Sequence, residues 1–426
     1  MRYYSTEGRS PKVGFRKALM RGLAPDGGLY MPESFPERRW TSSHFTDVAM
    51  LTLSGFVPRT GLIESCREAF NFPVPLQKLG ENLFVLELFY GPTLSFKDFG
   101  ARFMARQMRL ALKKGERINI VVATSGDTGS AVASGFYGVP GVNVFILYPK
   151  GRVTNLQELQ MITFGGNIHA LEVAGDFDDC QRVAKEILGD VRLLEELSLS
   201  SANSINIGRL LPQMPYYFEA AEKLRWKYGR KEKPIIVVPS GNFGNLTAGL
   251  FARAMGLPVE FFVAAVNSNC AVPAYLATGT MRSRDTIPTL SNAMDVGNPS
   301  NWRRIVDHFD GNPVKINNAL RTVTATDKET EAAIFSTHDK FGYIVDPHTA
   351  VGLHAAAEIS KRGFSRTPII VLSTAHPAKF RETVERVIRL PLEIPERLAV
   401  VMSRESKKIS APASKEEIVQ IIKAAQ

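Results

Sequence analysis

A lysine lies between two phenylalanines in the stretch LSFKDFGARFM at residues 94–104. Lys97 follows Phe96 and precedes Phe99 by two positions. One interpretation is an amphipathic helix with the lysine in water, where lysines usually lie. The other is a desolvated amine, because burial disfavours the ammonium, lowers the lysine pKa and leaves a neutral nucleophile and base. The rest of the sequence must decide between these interpretations.

A glycine-rich turn, PSGNFGNLTAG, occupies residues 239–249. It follows an apolar segment and precedes a helical pattern, with Gly241 and Gly244 at the turn. Free backbone N–H groups and the positive end of a helix dipole make such a turn a phosphate site. The spacing differs from the dinucleotide GxGxxG, and no GxxxxGK[ST] sequence occurs, so the NAD and ATP fingerprints are absent. The alternative is a tight turn that simply needs small residues.

A second turn, ATSGDTGSA at residues 123–131, has the same context. The hydroxyls of Thr124, Ser125 and Thr128 offer donors for a carboxylate or phosphate oxygen. The same residue types also cap helices, which is the alternative interpretation. Two such turns in one chain favour two anionic groups in one cleft.

A third polar segment is SANSINIGRL at residues 201–210. Asn203, Ser204 and Asn206 have side chains able to donate to a phosphate, and Arg209 could clamp it. Capping of the helix that follows explains the same residues equally well.

A fourth segment, LSTAHPAKF at residues 372–380, follows another apolar run. Ser373 or Thr374 could direct a hydroxyl at a ring nitrogen, whereas His376 beside Pro377 is interpreted as structural. The sequence contains neither HExxH nor GxSxG, so we expect no metal site and no serine-hydrolase chemistry. A buried lysine, a phosphate turn without nucleotide features and a further anion site together indicate pyridoxal-phosphate catalysis.

The elements that would position these groups are short, continuous apolar runs, each followed by a turn and a helical pattern. Such runs indicate buried parallel strands, and ligands bind at their carboxyl ends. We therefore expect an α/β protein with two open, mostly parallel-sheet domains facing a cofactor cleft, plus a mainly helical N-terminal extension. The predicted units are the extension at 1–82, a smaller domain with the lysine at 83–200, and a larger domain with the phosphate turn at 201–426. The predicted strands lie at 118–123, 143–148, 234–238, 261–266 and 368–373.

Composition narrows the class of protein. The chain has 426 residues, 44% hydrophobic and 22% charged, with a net charge of +10. Its basic residues are dispersed and form no stripe interleaved with aromatic residues, so nucleic-acid binding is not expected. No apolar run approaches the ~20 residues of a membrane span, and three well-separated cysteines predict no disulfide framework. We expect a cytoplasmic protein whose positive charge suits an anionic substrate.

Six motifs in one order give the chain a resemblance to a known family. Together they resemble the threonine synthase family, which consists of pyridoxal-phosphate enzymes of the tryptophan-synthase-β fold type (fold type II), in its subgroup with an extended N-terminal region. The resemblance runs from GLAPDGGLYMP to STAHPAKF and leaves the last thirty or so residues unmatched. The motifs are GPTLSFKDFGARFMA, ATSGDTGSA, SANSINIGRLL, VPSGNFGNLTAG, LSNAMDVGNPSNW and STAHPAKF.

This resemblance implies roles for individual residues. Lys97 would form the Schiff base with the cofactor and afterwards move protons, and Thr374 would face the pyridine nitrogen. Lys150 and Arg152 are further candidates for the substrate phosphate. The cofactor phosphate would lie on Gly241, Asn242, Phe243, Gly244 and Asn245. The substrate would contact Thr124, Ser125, Gly126, Asp127, Thr128, Asn203, Ser204, Asn206 and Arg209.

The implied activity is that of a carbon–oxygen lyase acting on a phosphate ester. O-phospho-L-homoserine and water would give L-threonine and phosphate by γ-elimination and β-addition, the last step of threonine biosynthesis. Two alternatives are a phospholyase that gives 2-oxobutyrate and a catalytically silent, cofactor-binding paralogue. We expect a monomer or a homodimer.

Overall fold

The computed structural model describes residues 1–38, 42–281 and 285–425. Its strands are β1 (Arg2–Ser5), β2 (Val13–Gly14), β3 (Tyr30–Pro32), β4 (Leu76–Lys78), β5 (Leu83–Glu87), β6 (Ile118–Ala123), β7 (Val142–Pro149), β8 (Ile168–Ala174), β9 (Leu199–Ser201), β10 (Ile235–Pro239), β11 (Phe262–Val266), β12 (Leu320–Thr324), β13 (Ile369–Ser373) and β14 (Lys408–Pro412).

The helices follow the same chain order. They are α1 (Phe15–Arg21), α2 (Phe45–Leu53), α3 (Leu62–Ala69), α4 (Lys97–Ala111), α5 (Asp127–Phe136), α6 (Asn155–Ile162), α7 (Phe177–Gly189), α8 (Val191–Glu196), α9 (Ile207–Leu210), α10 (Pro215–Tyr228), α11 (Gly244–Ala254), α12 (Ala271–Thr278), α13 (Trp302–His308), α14 (Pro313–Ala319), α15 (Asp327–Phe341), α16 (Pro347–Ile359), α17 (Arg381–Ile388), α18 (Glu396–Met402) and α19 (Lys415–Ala424). None of the helices in the described part of the chain has the length and apolar character needed to cross a membrane.

Two largely parallel sheets form the body of the protein. The six-stranded sheet has the order β12-β11-β10-β13-β5-β4, and the five-stranded sheet has the order β14-β8-β7-β6-β9. All strand pairs in these sheets are parallel except β4 with β5. Every residue of β6, β10 and β13 is buried, as expected when helices cover both faces of a sheet. The α/β class with two parallel sheets is confirmed.

Sheet membership differs from the predicted unit boundaries in two places. β5 falls in the range 83–200 that was assigned to the smaller unit, but it pairs with β13 in the six-stranded sheet. β14, near the C-terminus, pairs with β8 in the five-stranded sheet. Pairing of this kind joins strands far apart in sequence, and a linear division of the chain does not capture it. The C-terminal helix α19 begins at Lys415, and its apolar face packs beside α7.

The N-terminal segment contains a small antiparallel sheet, β2-β1-β3, in addition to its predicted helices. Tyr3 is fully buried, and its hydroxyl donates to the Phe56 carbonyl at 2.7 Å. The fully buried Arg304 of α13 donates to the Tyr30 carbonyl at 3.2 Å. These strands were not predicted because they are short, and two of them, β2 and β3, have no alternating pattern.

An aromatic cluster fixes helix α4, which carries the predicted lysine. Phe99, the third residue of α4, is fully buried. Its ring lies 4.9 Å from that of Phe72 and 5.2 Å from that of Tyr216, measured between centroids. Rings in such edge-to-face contact contribute about 0.5–1.5 kcal/mol per pair beyond the area they bury. This cluster anchors the first turn of α4.

Helix α4 approaches α9 closely at Gly100. A Cβ atom on Gly100 would lie 2.7 Å from the Arg209 carbonyl oxygen and 2.8 Å from Arg209 Nε. Neither atom can move freely, since the first belongs to the backbone and the second to a side chain that is only 4% exposed. Only glycine permits this packing of α4 on α9.

We therefore expect Gly100→Ala to lower the free energy of unfolding by about 1–3 kcal/mol through overpacking. Gly189→Ala is the matched control, because Gly189 is also helical and a Cβ atom there meets nothing within 4 Å. The control should leave stability unchanged or raise it by up to about 1 kcal/mol. Denaturant unfolding measures both values, and equal stability of the two variants would contradict the packing argument.

Candidate active site

A cavity of about 180 Å³ lies at the carboxyl ends of β6, β10 and β13. β6 is flanked by β7 and β9, and β10 by β11 and β13, so strand order reverses at both strands. Ligands bind at such switch points in open α/β sheets. Most of the predicted site residues line this cavity: Lys97, Thr124, Ser125, Asp127, Thr128, Asn203, Ser204, Arg209, Gly241, Asn242, Phe243, Gly244, Asn245 and Thr374.

Lys97 is the first residue of α4, and its side chain is 15% exposed. Burial lowers the pKa of its amine to about 8. Asp127 opposes this shift by attraction, whereas Lys379 and Arg209 reinforce it by repulsion. The Lys97 amine therefore loses its proton far more readily than a lysine in water. The interpretation of Lys97 as a surface lysine is wrong.

Asp127 lies between two lysines. Its side chain is 3% exposed, and its carboxylate forms an ion pair with Lys379 Nζ at 2.7 Å. Lys97 Nζ lies 3.8 Å from the same carboxylate. Gln157 Nε2 donates to the same carboxylate at 2.8 Å. Burial alone would raise the pKa of Asp127, but the two ammonium groups and the Gln157 hydrogen bond lower it below its usual range. Asp127 is thus a permanent anion whose closer partner is Lys379, not Lys97.

The two phenylalanines around Lys97 have different surroundings. Phe96 lines the cavity, and Lys97 Nζ lies 5.3 Å from the centroid of its ring. Phe99 points away into the aromatic cluster. Phe96 therefore helps to desolvate the amine, and Phe99 fixes the helix that carries it.

The turn after β10 brings a helix N-terminus to the cavity. Gly241 passes so close to the 292–294 turn that a Cβ atom would lie 2.6 Å from Met294 Cα. Phe243 has a left-handed conformation, with φ of 60°, and α11 begins at Gly244. The first N–H groups of a helix have no intrahelical acceptor. Those of α11 consequently remain available to an anion in the cavity.

Two asparagines of this turn have opposite hydrogen-bond states. Asn242 is satisfied, since Nδ2 donates to Ser204 Oγ at 2.8 Å and Oδ1 accepts from the Ser300 N–H. Asn245 Oδ1 accepts from two tyrosine hydroxyls, of Tyr216 at 2.5 Å and Tyr217 at 2.6 Å. Asn245 Nδ2 is buried and has no acceptor within residues 1–38, 42–281 and 285–425. A buried donor without a partner is unfavourable, and an anion in the cavity would supply the missing acceptor.

The end of β13 is hydrogen-bonded to the segment that leads into Lys97. Thr374 is 5% exposed and lines the cavity. Its carbonyl accepts from the Phe96 N–H at 2.9 Å. The position of Thr374 is therefore locked to the residue that precedes Lys97.

Arg209 is a buried cation that faces the cavity. It is 4% exposed, Nη1 donates to the Ala202 carbonyl, and Nε is buried without an acceptor in the described part of the chain. Burial lowers its pKa to about 10. It forms no ion pair with a carboxylate among the residues described here. Beside it, Ser204 Oγ accepts from Asn242 and Asn301, which leaves its own proton free to donate into the cavity.

Four predicted residues lie outside the cavity lining. Asn206 is fully buried as the N-cap of α9, and its Nδ2 donates to the Leu19 carbonyl at 2.9 Å. It was predicted as a phosphate ligand because a helix cap and an anion site use the same residue types. Gly126, with φ of 137°, packs on Gln157. Lys150 and Arg152 are exposed in the loop after β7 and line no part of the cavity.

Sequence patterns missed other residues that form the site. Lys379 lies on a short turn after β13 and is fully buried against Asp127. His348 lines the cavity, with Nδ1 2.8 Å from Asp346 and Nε2 accepting the Ala293 N–H. Gln181 and Lys185 of α7 also line it. The sequence signal that could have identified Lys379 was its place in the PAKF segment. The sequence of α7 gave no such signal for Gln181 and Lys185.

These groups fit pyridoxal phosphate. A helix N-terminus with close-packed glycines and an orphan Asn245 donor suits its phosphate. A desolvated amine, Lys97, is available to its aldehyde. The Thr374 hydroxyl lies on the wall of the same cavity, where a ring nitrogen can be met by a neutral group.

Family comparisons agree with this geometry. A model described as "Pyridoxal-phosphate dependent enzyme" matches residues 62–374. The threonine synthase N-terminal model matches residues 2–70. The threonine synthase C-terminal model matches residues 349–422, so most of the tail that the motifs left unmatched also belongs to the family pattern.

Individual relatives extend the similarity over nearly the whole chain. Threonine synthase of Haemophilus influenzae is 43% identical, over 93% of this chain and 94% of the relative. That of Escherichia coli is 42% identical, over 94% of both chains. Two solved structures cover 100% of this chain: PLP-bound threonine synthase from Brucella melitensis (TM-score 0.92, 35% identity, 99% of that chain) and the Escherichia coli enzyme (TM-score 0.91, 38% identity, 100% of that chain). The chain therefore belongs to the threonine synthase family of pyridoxal-phosphate-dependent enzymes.

Proposed function

We propose that the cavity converts O-phospho-L-homoserine and water to L-threonine and phosphate, with Lys97 as the group that moves protons. The chain has the activity of its family, a pyridoxal-phosphate-dependent lyase of threonine biosynthesis. The observation that carries the residue assignment is the desolvated Lys97 in one cavity with a helix N-terminus and with Arg209, whose Nε has no acceptor among the described residues.

The cofactor would be held by residues of three turns. The N-terminus of α11, with Gly241, Gly244 and Asn245, would hold its phosphate, Lys97 would bind it covalently and Thr374 would face its ring nitrogen. When bound, pyridoxal phosphate supplies an electron sink that makes the protons at the substrate's Cα and Cβ removable. The protein's own part is binding, orientation and proton transfer.

Lys97 is suited to proton transfer because the pKa of its amine, lowered to about 8, lies near physiological pH. Two features give it this property: burial, and the engagement of Asp127 by Lys379. A general base is most effective when its pKa lies near the working pH. Lys97 would take the Cα proton and return protons to the substrate carbons. The anchored first turn of α4 would hold its side chain in position for these transfers.

Arg209, Ser204 and Asn203 would bind the substrate phosphate. Arg209 presents an unpaired, buried Nε, and Ser204 has a free proton. Asn203 is held by its donation to the Ala123 carbonyl at 2.8 Å and lines the same wall. The substrate carboxylate would lie at the turn after β6, on Ser125 and Thr128, where a carboxylate meets hydroxyl donors. Asn206, Lys150 and Arg152 have no part in this assignment.

We also infer that the enzyme works in the cytoplasm, as a monomer or a homodimer, without binding nucleic acid. The dispersed distribution of its basic residues supports the last point. The division into an N-terminal segment and two units remains a proposal, with β5 belonging to the larger sheet and β14 to the smaller one.

The first prediction of the proposed function concerns the products. The holoenzyme supplied with O-phospho-L-homoserine should release L-threonine and phosphate in equal amounts, measured by amino-acid analysis and a phosphate assay. Lys97→Ala should lower turnover by about 10²–10⁴-fold or more, as expected for loss of a general base. Lys150→Ala, which alters an exposed residue outside the cavity, is the control and should keep full activity. Accumulation of 2-oxobutyrate in place of L-threonine would identify a phospholyase and overturn the proposal.

The second prediction concerns the phosphate site. Arg209→Lys should raise both the KM for O-phospho-L-homoserine and the inhibition constant of inorganic phosphate about tenfold or more, because an ammonium lacks the planar donors of guanidinium. Binding of L-threonine, which has no phosphate, should change less than about twofold by titration of the cofactor absorption band. Arg152→Lys serves as the control. An equal loss of affinity for L-threonine would assign Arg209 to a different role.

The third prediction concerns the charge on Lys379. In cofactor-free protein, the rate at which Lys97 links to added pyridoxal phosphate should rise with pH around a midpoint near 8. Lys379→Met removes a repelling charge and leaves Asp127 to Lys97 alone, so the midpoint should move upward. Lys379→Arg keeps the charge and should stay near the wild-type midpoint. Borohydride trapping followed by mass spectrometry measures the linkage, and an unmoved midpoint in Lys379→Met would refute the argument.

A further inference from the structure

A second cleft, of about 540 Å³, lies on the far side of the segment that carries Lys97. It is bounded by residues of α4, α5, α6 and α18 and by the loop before Lys97. Its inner wall includes Thr93 and Gln160, and its rim includes Arg102, Arg397 and Arg404. None of these residues lines the active-site cavity.

Gln160 leaves an unsatisfied acceptor in this wall. The residue is 3% exposed, and its Nε2 donates to the Thr93 carbonyl at 3.3 Å. Because a carbonyl can only accept, this bond fixes which end of the amide is the nitrogen. Oε1 is buried and receives no hydrogen bond from any residue that the structure describes. A ligand with an N–H or O–H donor in the cleft would therefore satisfy Gln160 Oε1.

The rim presents positive charge with spare donors. Arg102 uses Nε and Nη2 on the Ala69 carbonyl and Asn71, and Arg397 uses Nη1 on the Tyr90 carbonyl. Nη1 of Arg102 and Nη2 of Arg397 donate to no atom in the described ranges. Neither residue, nor Arg404, forms an ion pair with a carboxylate of those ranges. Three guanidinium groups at one rim favour a carboxylate or another planar anion.

The remaining walls are mostly apolar, and their polar residues are Asn71, Ser134 and Glu396. Phe72 is 8% exposed, and Phe164, Val400 and Val401 add further apolar surface. Glu396 lies on the rim with the arginines. An occupant thus meets cations, an apolar surface, one carboxylate and one orphan acceptor within a single cleft.

We propose that this cleft binds a free α-amino acid with an apolar side chain. Its carboxylate would lie on the arginines, its ammonium would donate to Gln160 Oε1 with Glu396 nearby, and its side chain would pack on Phe164 and Val400. Each of the three chemical groups of such a molecule has a complementary group in the cleft. This is a site separate from the one that makes threonine.

The inner wall of the cleft also supports the catalytic lysine. Thr93 donates through its N–H and its hydroxyl to Asp98 at 2.9 and 2.8 Å, and Asp98 follows Lys97 directly. The Thr93 carbonyl accepts from Lys379 Nζ at 2.9 Å as well as from Gln160. A bound amino acid would therefore touch the residue on which the Lys97 and Lys379 positions both depend.

The test is equilibrium binding of apolar amino acids to the holoenzyme by isothermal titration calorimetry. The probes are L-leucine, L-isoleucine, L-valine, L-methionine and L-phenylalanine, with 3-methylbutylamine as a probe that lacks the carboxylate. At least one of the amino acids should bind, and 3-methylbutylamine should not. Absence of binding by all five amino acids would overturn the proposal.

Two matched variants locate the binding. Val400→Trp fills the cleft, whereas Met402→Trp alters the same helix outside it, and the two wild-type side chains are 46% and 48% exposed. Val400→Trp should weaken binding at least tenfold, and Met402→Trp should leave it within twofold. Arg404→Gln should weaken binding about tenfold by loss of an anion ligand, with thermal denaturation showing that each variant is folded. Equal affinity of Val400→Trp and wild type would place the amino acid elsewhere and overturn the proposal.

Discussion

Two lysines share one buried carboxylate at the centre of this protein. Asp127 pairs with Lys379 at 2.7 Å and faces Lys97 at 3.8 Å, and all three side chains are largely withdrawn from water. Burial of charge is unfavourable unless rigid partners compensate for the lost hydration. Gln157 and the N-terminus of α5 supply such partners for Asp127. Because Lys379 makes the closer contact with Asp127, this carboxylate stabilises the ammonium form of Lys97 less strongly.

Such an arrangement requires both sheets. Lys97 starts α4, in the connection after β5 of the six-stranded sheet, and Lys379 follows β13 of the same sheet. Asp127 starts α5, directly after β6 of the five-stranded sheet. The three charges meet only when the carboxyl ends of strands from the two sheets face each other. The packing of the two sheets against each other therefore also determines the proton affinity of the Lys97 amine.

Local chemistry could be predicted from the sequence, whereas long-range partners could not. The glycine turn, the hydroxyl turn and the strands were identifiable because turn residues and apolar runs act over a few positions. Lys379 was missed because its importance comes from Asp127, which lies far away in sequence. Asn206 was assigned to a phosphate because a helix cap and an anion ligand look alike in sequence. The unit boundary at residue 83 does not follow the sheets, because the pairing partner of β5 is β13, nearly three hundred residues later.

The charge balance of the cavity supports the proposal that one lysine, Lys97, acts as both nucleophile and base. Lys97 and Arg209 line the cavity, and Lys379 is buried behind Asp127, which contacts both lysines and is the one carboxylate among the described lining residues. In this positive field the Lys97 amine is readily deprotonated, as attack on an aldehyde requires. A cofactor phosphate and a phosphorylated, carboxylated substrate bring several negative charges into the same space. Their field would oppose that of the cations and raise the proton affinity of Lys97 at the stage when, in the proposed function, the amine accepts a proton from the substrate.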